Sequence, residues 1–237
     1  IFPPKLIINK LSIQGTCFGH PSNQLLIDDI KIGPDFPSIS RLGMRFNIQI
    51  KAQDSILNLS PIISFKKLFI EIDKSSINAN IIRVLTEDNK SPIAGKLSIM
   101  GFIEFSNQNL NDANITIESN NFFFPSQRLS GFDLPIINLN KFNLKAYVKD
   151  QGQLKIESIE IGKENGPVEI RLHGDMLINQ NQFMTSTLNL NGSLKLSANF
   201  ISNFSFINLM LPQGHPDGKY QMRIQGPLQS PGAPQFY

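Results

Sequence analysis

The amino-acid sequence predicts an all-β chain: a large, mainly antiparallel curved sheet, sandwich or half-barrel of many strands, with one short amphipathic helix near the C-terminus. Three observations carry that expectation. Polar and apolar residues alternate over most of the chain, turn-forming residues separate the alternating segments at hairpin intervals, and one stretch alone has helical spacing. A period of two sends successive side chains to opposite faces, so each alternating segment has one wet and one dry side.

The clearest segment is 41–52, where Leu42, Met44, Phe46, Ile48 and Ile50 alternate with Arg41, Arg45, Asn47, Gln49 and Lys51. Five apolar side chains on one face require a cover, and a natural domain rarely leaves such a stripe open, so Phe46 and Ile48 are expected in a core. Segments 62–72, opening after Pro61, and 97–105, where Met100 and Phe102 interleave with Leu97, Ile99, Ile103 and Phe105, are apolar on both sides. Such strands are expected to be covered twice, by a second layer or by a ligand. The alternation returns in 141–148, 168–173, 188–196 and 220–224.

Turn signals stand at Gly33-Pro34, Asp88-Asn89, Asp150-Gln151-Gly152, Glu164-Asn165-Gly166-Pro167, Asn191-Gly192 and Asp217-Gly218. In 199–211 the apolar residues Phe200, Phe204, Ile207 and Leu211 fall at helical spacing, with Asn199 as N-cap and Pro212 as stop, which predicts a short helix plugging or capping the sheet. Segments 166–174 and 218–226 share a pattern of Gly, alternating residues and closing Gly, with Arg171 and Arg223 on the wet side.

The chain of 237 residues reads as one β domain, with a break near 125–140 as the alternative boundary. Hydrophobic residues make up 41% and charged residues 17%, which argues against disorder. The net charge of +3 is spread singly, the longest basic run being Lys66-Lys67, and a nucleic-acid partner is not expected. Cys17 is the only cysteine, so no internal disulfide forms. No run of eighteen apolar residues occurs, so the protein is expected to be either soluble or held by an N-terminal anchor trimmed from this chain.

No catalytic constellation emerges. His20, His173 and His215 lack partners at metal-ligand spacing, and neither a P-loop nor a G-x-S-x-G elbow is present. The acidic pairs Asp28-Asp29 and Glu87-Asp88 read as an alternating strand pair and a solvated turn. The expectation is a non-enzymatic chain without cofactor or metal. Its candidate apolar groove or partner surface comprises Met44, Phe46, Ile48 and Ile50 with the block Phe122-Phe123-Phe124, which precedes Pro125.

The order of the last third is a hairpin through Ile159-Glu160-Ile161-Gly162, then Asp217-Gly218-Lys219-Tyr220, then Ile224-Gln225-Gly226-Pro227-Leu228, closing on Pro231. That order is similar to type II secretion system protein N of spirochaetes and some deltaproteobacteria, and its closing pattern resembles the end of AsmA-like envelope proteins. Phe2-Pro3-Pro4 resembles the point where the family's chain leaves its membrane helix; Pro227 departs from the small polar residue expected there. The resemblance implies a periplasmic β domain, anchored to the inner membrane in the full-length protein, in an accessory role among other secretion-system or envelope proteins. The AsmA-like pattern implies instead, or in addition, a curved sheet whose apolar side holds phospholipid or other acyl chains. Bound lipid in organic extracts separates the two.

Overall fold

The structure, a computed structural model, describes residues 5–14, 23–85, 92–107, 109–129, 132–150, 152–179, 182, 185–204, 211–212 and 218–237. The strands are β1 (Leu6–Gln14), β2 (Gln24–Pro34), β3 (Met44–Ala52), β4 (Ser55–Ser64), β5 (Lys67–Asn78), β6 (Lys96–Ser106) and β7 (Asn109–Phe124). They continue as β8 (Gln127–Leu129), β9 (Phe132–Leu134), β10 (Ile137–Asp150), β11 (Gln153–Ile161), β12 (Val168–Leu177), β13 (Thr187–Leu196), β14 (Lys219–Pro227) and β15 (Gln235–Phe236). A 3-10 helix (Ala79–Leu85) follows β5, and the helix α1 (Ala198–Asn203) follows β13. All strands except β8 and β9 form one open antiparallel sheet of thirteen in simple chain order, and β8–β9 is a small separate hairpin. Because β10 pairs with β7, the sheet runs unbroken across 125–140.

Register makes this sheet two-sided. Residues directly opposite each other in an antiparallel pair share a face. One such row crosses from Leu6 to Ile32, Ile48, Leu59 and Ile72. It continues through Gly101, Ile115, Ala146, Ile156, Gly174, Leu190 and Ile224 without meeting a polar side chain. A row on the other face, three residues along in most strands and four where a bulge intervenes, runs Asp29, Lys51, Ile56, Ser76, Ser98, Glu118, Asn143, Glu160, Arg171, Ser193 and Gln221, polar in every strand but one. A one-residue slip would turn a whole strand inside out, so the pattern locks the register.

Several expectations from sequence are corrected. Segment 62–72 is not one strand but the β4–β5 hairpin, reversing at Phe65 and Lys66, where Lys66 takes the left-handed φ of 70°. Gly33-Pro34 does not turn; both residues remain paired at the end of β2, and the reversal follows in 35–43. Leu42 falls in that loop at φ 47°, so the dry side of β3 begins at Met44. Asn191-Gly192 lies inside β13, opposite His173 and Leu172. Gly192 leaves no room for a side chain, since a Cβ there would clash with the Arg171 carbonyl oxygen.

The helix is displaced from the predicted start. Its N-cap is Ser197, not Asn199, because the Ser197 hydroxyl accepts from the Phe200 N–H at 3.2 Å. The helical spacing of Phe200 and Phe204 is real, their rings lying 4.7 Å apart, and Phe204 caps the C-terminus. Ile207, Cys17, His20, His215, Phe2-Pro3-Pro4 and the Glu87-Asp88-Asn89 turn lie outside the described residues.

Candidate functional site

The apolar side of the sheet is closed over one part of its area and open over another. Buried Leu97, Phe122, Leu139, Val168, Leu196, Leu211 and Tyr220 form one cluster, with Phe200 and Ile201 of α1 packed against it. All lie at the end of the strands where α1 sits, so the helix stops that end of the sheet. A second cluster, Ala146, Ile156, Leu172, Met176, Leu190 and Met222, extends the core along β10–β14. Phe236 of the short last strand touches both clusters.

Over β2–β6 such cover among the described residues is confined to the α1 end, where Ala79 of the 3-10 helix joins the first cluster and the helix reaches β2, Asn23 donating to the carbonyl of buried Val84 at 3.1 Å. Ile32, Ile48, Leu59, Ile70, Ile103 and Phe105 are half-buried and Met44 and Ile63 exposed, while Pro61 and, towards the α1 end, Ala52, Ser55, Ser75 and Leu97 are buried. At the end opposite α1 this surface opens into a cleft of about 640 Å³ with Leu68 and Phe105 on its floor and Ser64, Lys66, Lys67 and Asn107 on its rim.

The opposite side is held by polar contacts and by one clamp. Gln49 donates to Asn58 at 3.0 Å, and Ser60 donates to Asp73 at 2.7 Å. Loop 35–43 folds onto this polar side rather than the apolar one. It carries Arg41 over the Phe69 ring at 3.4 Å, and Phe69 stacks on Phe102 at 5.4 Å. Glu104 takes Arg41 and Lys67, each at 3.2 Å. Burial pushes the Glu104 carboxyl up, but these two cations outweigh it and hold the group below its usual range. The second cover expected over 97–105 is therefore this loop acting through Phe69, which stacks on Phe102; Met100 stays exposed.

The predicted site residues divide between the two regions. Met44, Phe46, Ile48 and Ile50 share the open side of β3, and Phe46 and Ile48 belong to neither buried cluster, contrary to the expectation that they pack in a core. Among the described residues they receive no cover from the connection that follows β2, which crosses to the other side. Phe122 is only 3% exposed, its ring 5.0 Å from Phe142 and 5.9 Å from Phe124. Phe123 falls on the other side by alternation, bridged to Ala94. The aromatic block thus serves the closed region, and the structure does not join it to the β3 stripe.

No family model, curated protein or solved structure matches the chain. The geometry alone must carry the functional reading. Sequence patterning passed over the residues at the open end, Phe36, Ile39 and Phe65, since single apolar residues within loops carry no period.

Proposed function

We propose that the chain is a lipid-binding module that holds acyl chains on the open apolar side of β2–β6. The observation that supports this reading is the uncovered stripe continuous with a buried one: the same rows of aliphatic side chains are closed over β10–β14 and half-exposed over β2–β6. Apolar area of that extent is stabilised by whatever removes it from water. Straight hydrocarbon chains suit a strip lined by Ile32, Ile48, Leu59 and Ile72 without a polar group in the row. Mass spectrometry of organic extracts should find phospholipid or fatty acid near stoichiometry. Phe46→Asp should fold and lose a fluorescent fatty-acid probe, since the charge there reaches water. An extract free of lipid together with a wild-type protein that ignores the probe overturns the reading.

A second reading is an accessory interaction domain of a type II secretion system, periplasmic and anchored to the inner membrane in the full-length protein. Its support beyond the sequence resemblance is β1, a nine-residue edge strand whose residues are almost all exposed. Such an edge offers unpaired backbone groups for strand addition by another envelope protein. Ile8→Pro would remove a backbone donor from the edge, and site-directed cross-linking from β1 to secretion-system components should then be lost; cross-links that persist unchanged would sink this reading.

A further inference from the structure

We propose that the open end of the sheet is a membrane-docking tip that inserts its loops into the interface of a bilayer containing anionic lipids. Four large apolar side chains stand out there almost fully exposed: Phe36 at 86%, Ile39 at 87%, Leu42 at 84% and Phe65 at 88%. They come from two connections that touch. The Ser64 hydroxyl donates to the Leu42 carbonyl at 3.1 Å, so loop 35–43 and the β4–β5 turn form one surface. Met44 and Ile63, paired across β3 and β4 and both about half exposed, continue it onto the apolar side of the sheet.

An apolar cluster at the tips of adjacent connections differs from the isolated exposed residues that any surface carries. These residues gain nothing from the fold as it stands, since loop 35–43 is fastened through other groups: Arg41 on Phe69 and Glu104, and the Asp35 N–H on the Arg45 carbonyl at 2.9 Å.

Charge decides the kind of partner. Lys66 and Lys67 follow Phe65 directly, the Lys66 ammonium lies 5.7 Å from the Phe65 ring centroid, and both lysines rim the cleft floored by Leu68 and Phe105. Of the carboxylates at this end, Glu104 is shared by Arg41 and Lys67, Asp35 lies 3.5 Å from Arg45, and exposed Asp112 stands opposite Glu104 on β7, on the sheet rather than at the tips. Aromatic and aliphatic tips with cations just behind them match the order of a membrane interface, hydrocarbon first and anionic headgroups next. The mouth of the cleft then faces the acyl region. That last step rests on the lipid-binding reading; the docking itself does not.

Flotation with phosphatidylcholine vesicles, with and without phosphatidylglycerol, tests the docking. The wild-type protein should float with the anionic vesicles and be released by added salt. Phe36→Ser with Phe65→Ser should weaken binding about a hundredfold, roughly tenfold for each aromatic removed. Lys66→Gln with Lys67→Gln should weaken it about tenfold or more, and only on anionic vesicles. Because the chain has no Trp, Phe65→Trp supplies a single reporter whose emission should shift to the blue on vesicle addition. All these positions are exposed, and unchanged thermal melts confirm intact folding. Ile48→Asp should keep flotation while losing the acyl probe, which separates failure of the tip from failure of the groove. A wild type that floats with neither vesicle, or an aromatic double variant that floats as well as wild type, overturns the proposal. So does a wild-type dimer made monomeric by the Phe36 and Phe65 changes without any flotation, which would assign the tip to a second copy of the chain.

Discussion

Strands β2–β6 and β10–β14 carry the same pattern on the same side of one sheet, yet among the described residues the second group builds a buried cluster and most of the first stays half-exposed. Composition does not separate them: Ile and Leu fill the row in both. The connections do. After β13 the chain turns α1 and Leu211 over the apolar side, and after β14 it brings back Leu228 and Phe236. After β2 it instead lays loop 35–43 on the polar side, where Arg41 covers Phe69. Alternation therefore chooses a face, while the loops choose whether that face becomes core or surface. Stabilisation follows the area removed from water, so equal patterns make unequal contributions.

The largest expected effect sets Leu139 against Ile48. Leu139 is 1% exposed inside the cluster beneath α1, and Leu139→Asp leaves an unpaired buried charge. That penalty is of the order of several kcal/mol against a total stability of about 5–15 kcal/mol, so cooperative unfolding should vanish from the melt. Ile48→Asp should still unfold cooperatively. If both variants collapse alike, the open stripe is core after all and the contrast between the halves fails.

Milder truncations sharpen the same contrast. Leu172→Ala, in the closed region, should lose about 2–5 kcal/mol in urea unfolding, within the usual range for emptying a packed site. Ile48→Ala should lose less than half of that, because part of its side chain is already in water. Phe236→Ala should fall between them, at about 1–2 kcal/mol, since Phe236 is half-buried and sits edge-on to Tyr220 with ring centroids 6.2 Å apart. It should also raise binding of a hydrophobic dye, because β10–β14 then begin to resemble β2–β6.

Alternation is local and survives reading from sequence, which is why β3, β10, β12, β13 and β14 were legible along with the antiparallel class of the sheet. Turn chemistry was less legible. Phe65-Lys66 reverses the chain without Gly, Asn or Pro at the turn, while Asn191-Gly192 has a turn's composition but serves a close strand approach. The repeat of 166–174 and 218–226 proved structural: β12 and β14 flank β13, and the closing Gly174 and Gly226 take φ of 155° and 129°. For the candidate site, the sequence placed Met44, Phe46, Ile48 and Ile50 on one face but left their cover undecided. Cover depends on where loops fall in space, and no period encodes that.

The smallest effect tests what keeps loop 35–43 on the polar side. Glu104 holds Arg41 and Lys67, and its carboxyl in the folded chain lies below the ordinary value of 4.5. A carboxylate with a depressed folded-state pKa binds protons more readily when unfolded. Its contribution is therefore complete above the unfolded value and fades as pH falls through the lower folded one. Both cations are substantially solvent-exposed, so the clamp is worth only about 0.5–1 kcal/mol. Stability measured in urea between pH 6 and pH 3 should decline more steeply for the wild type than for Glu104→Gln, with the two curves meeting at the acid end. Arg41 also rests on Phe69, so Arg41→Ala should cost slightly more than Glu104→Gln at pH 6, through lost ring coverage. Curves for wild type and Glu104→Gln that run parallel across this range would show that Glu104 does not fasten the loop. The choice of side would then rest on Phe69 and Phe102 beneath Arg41.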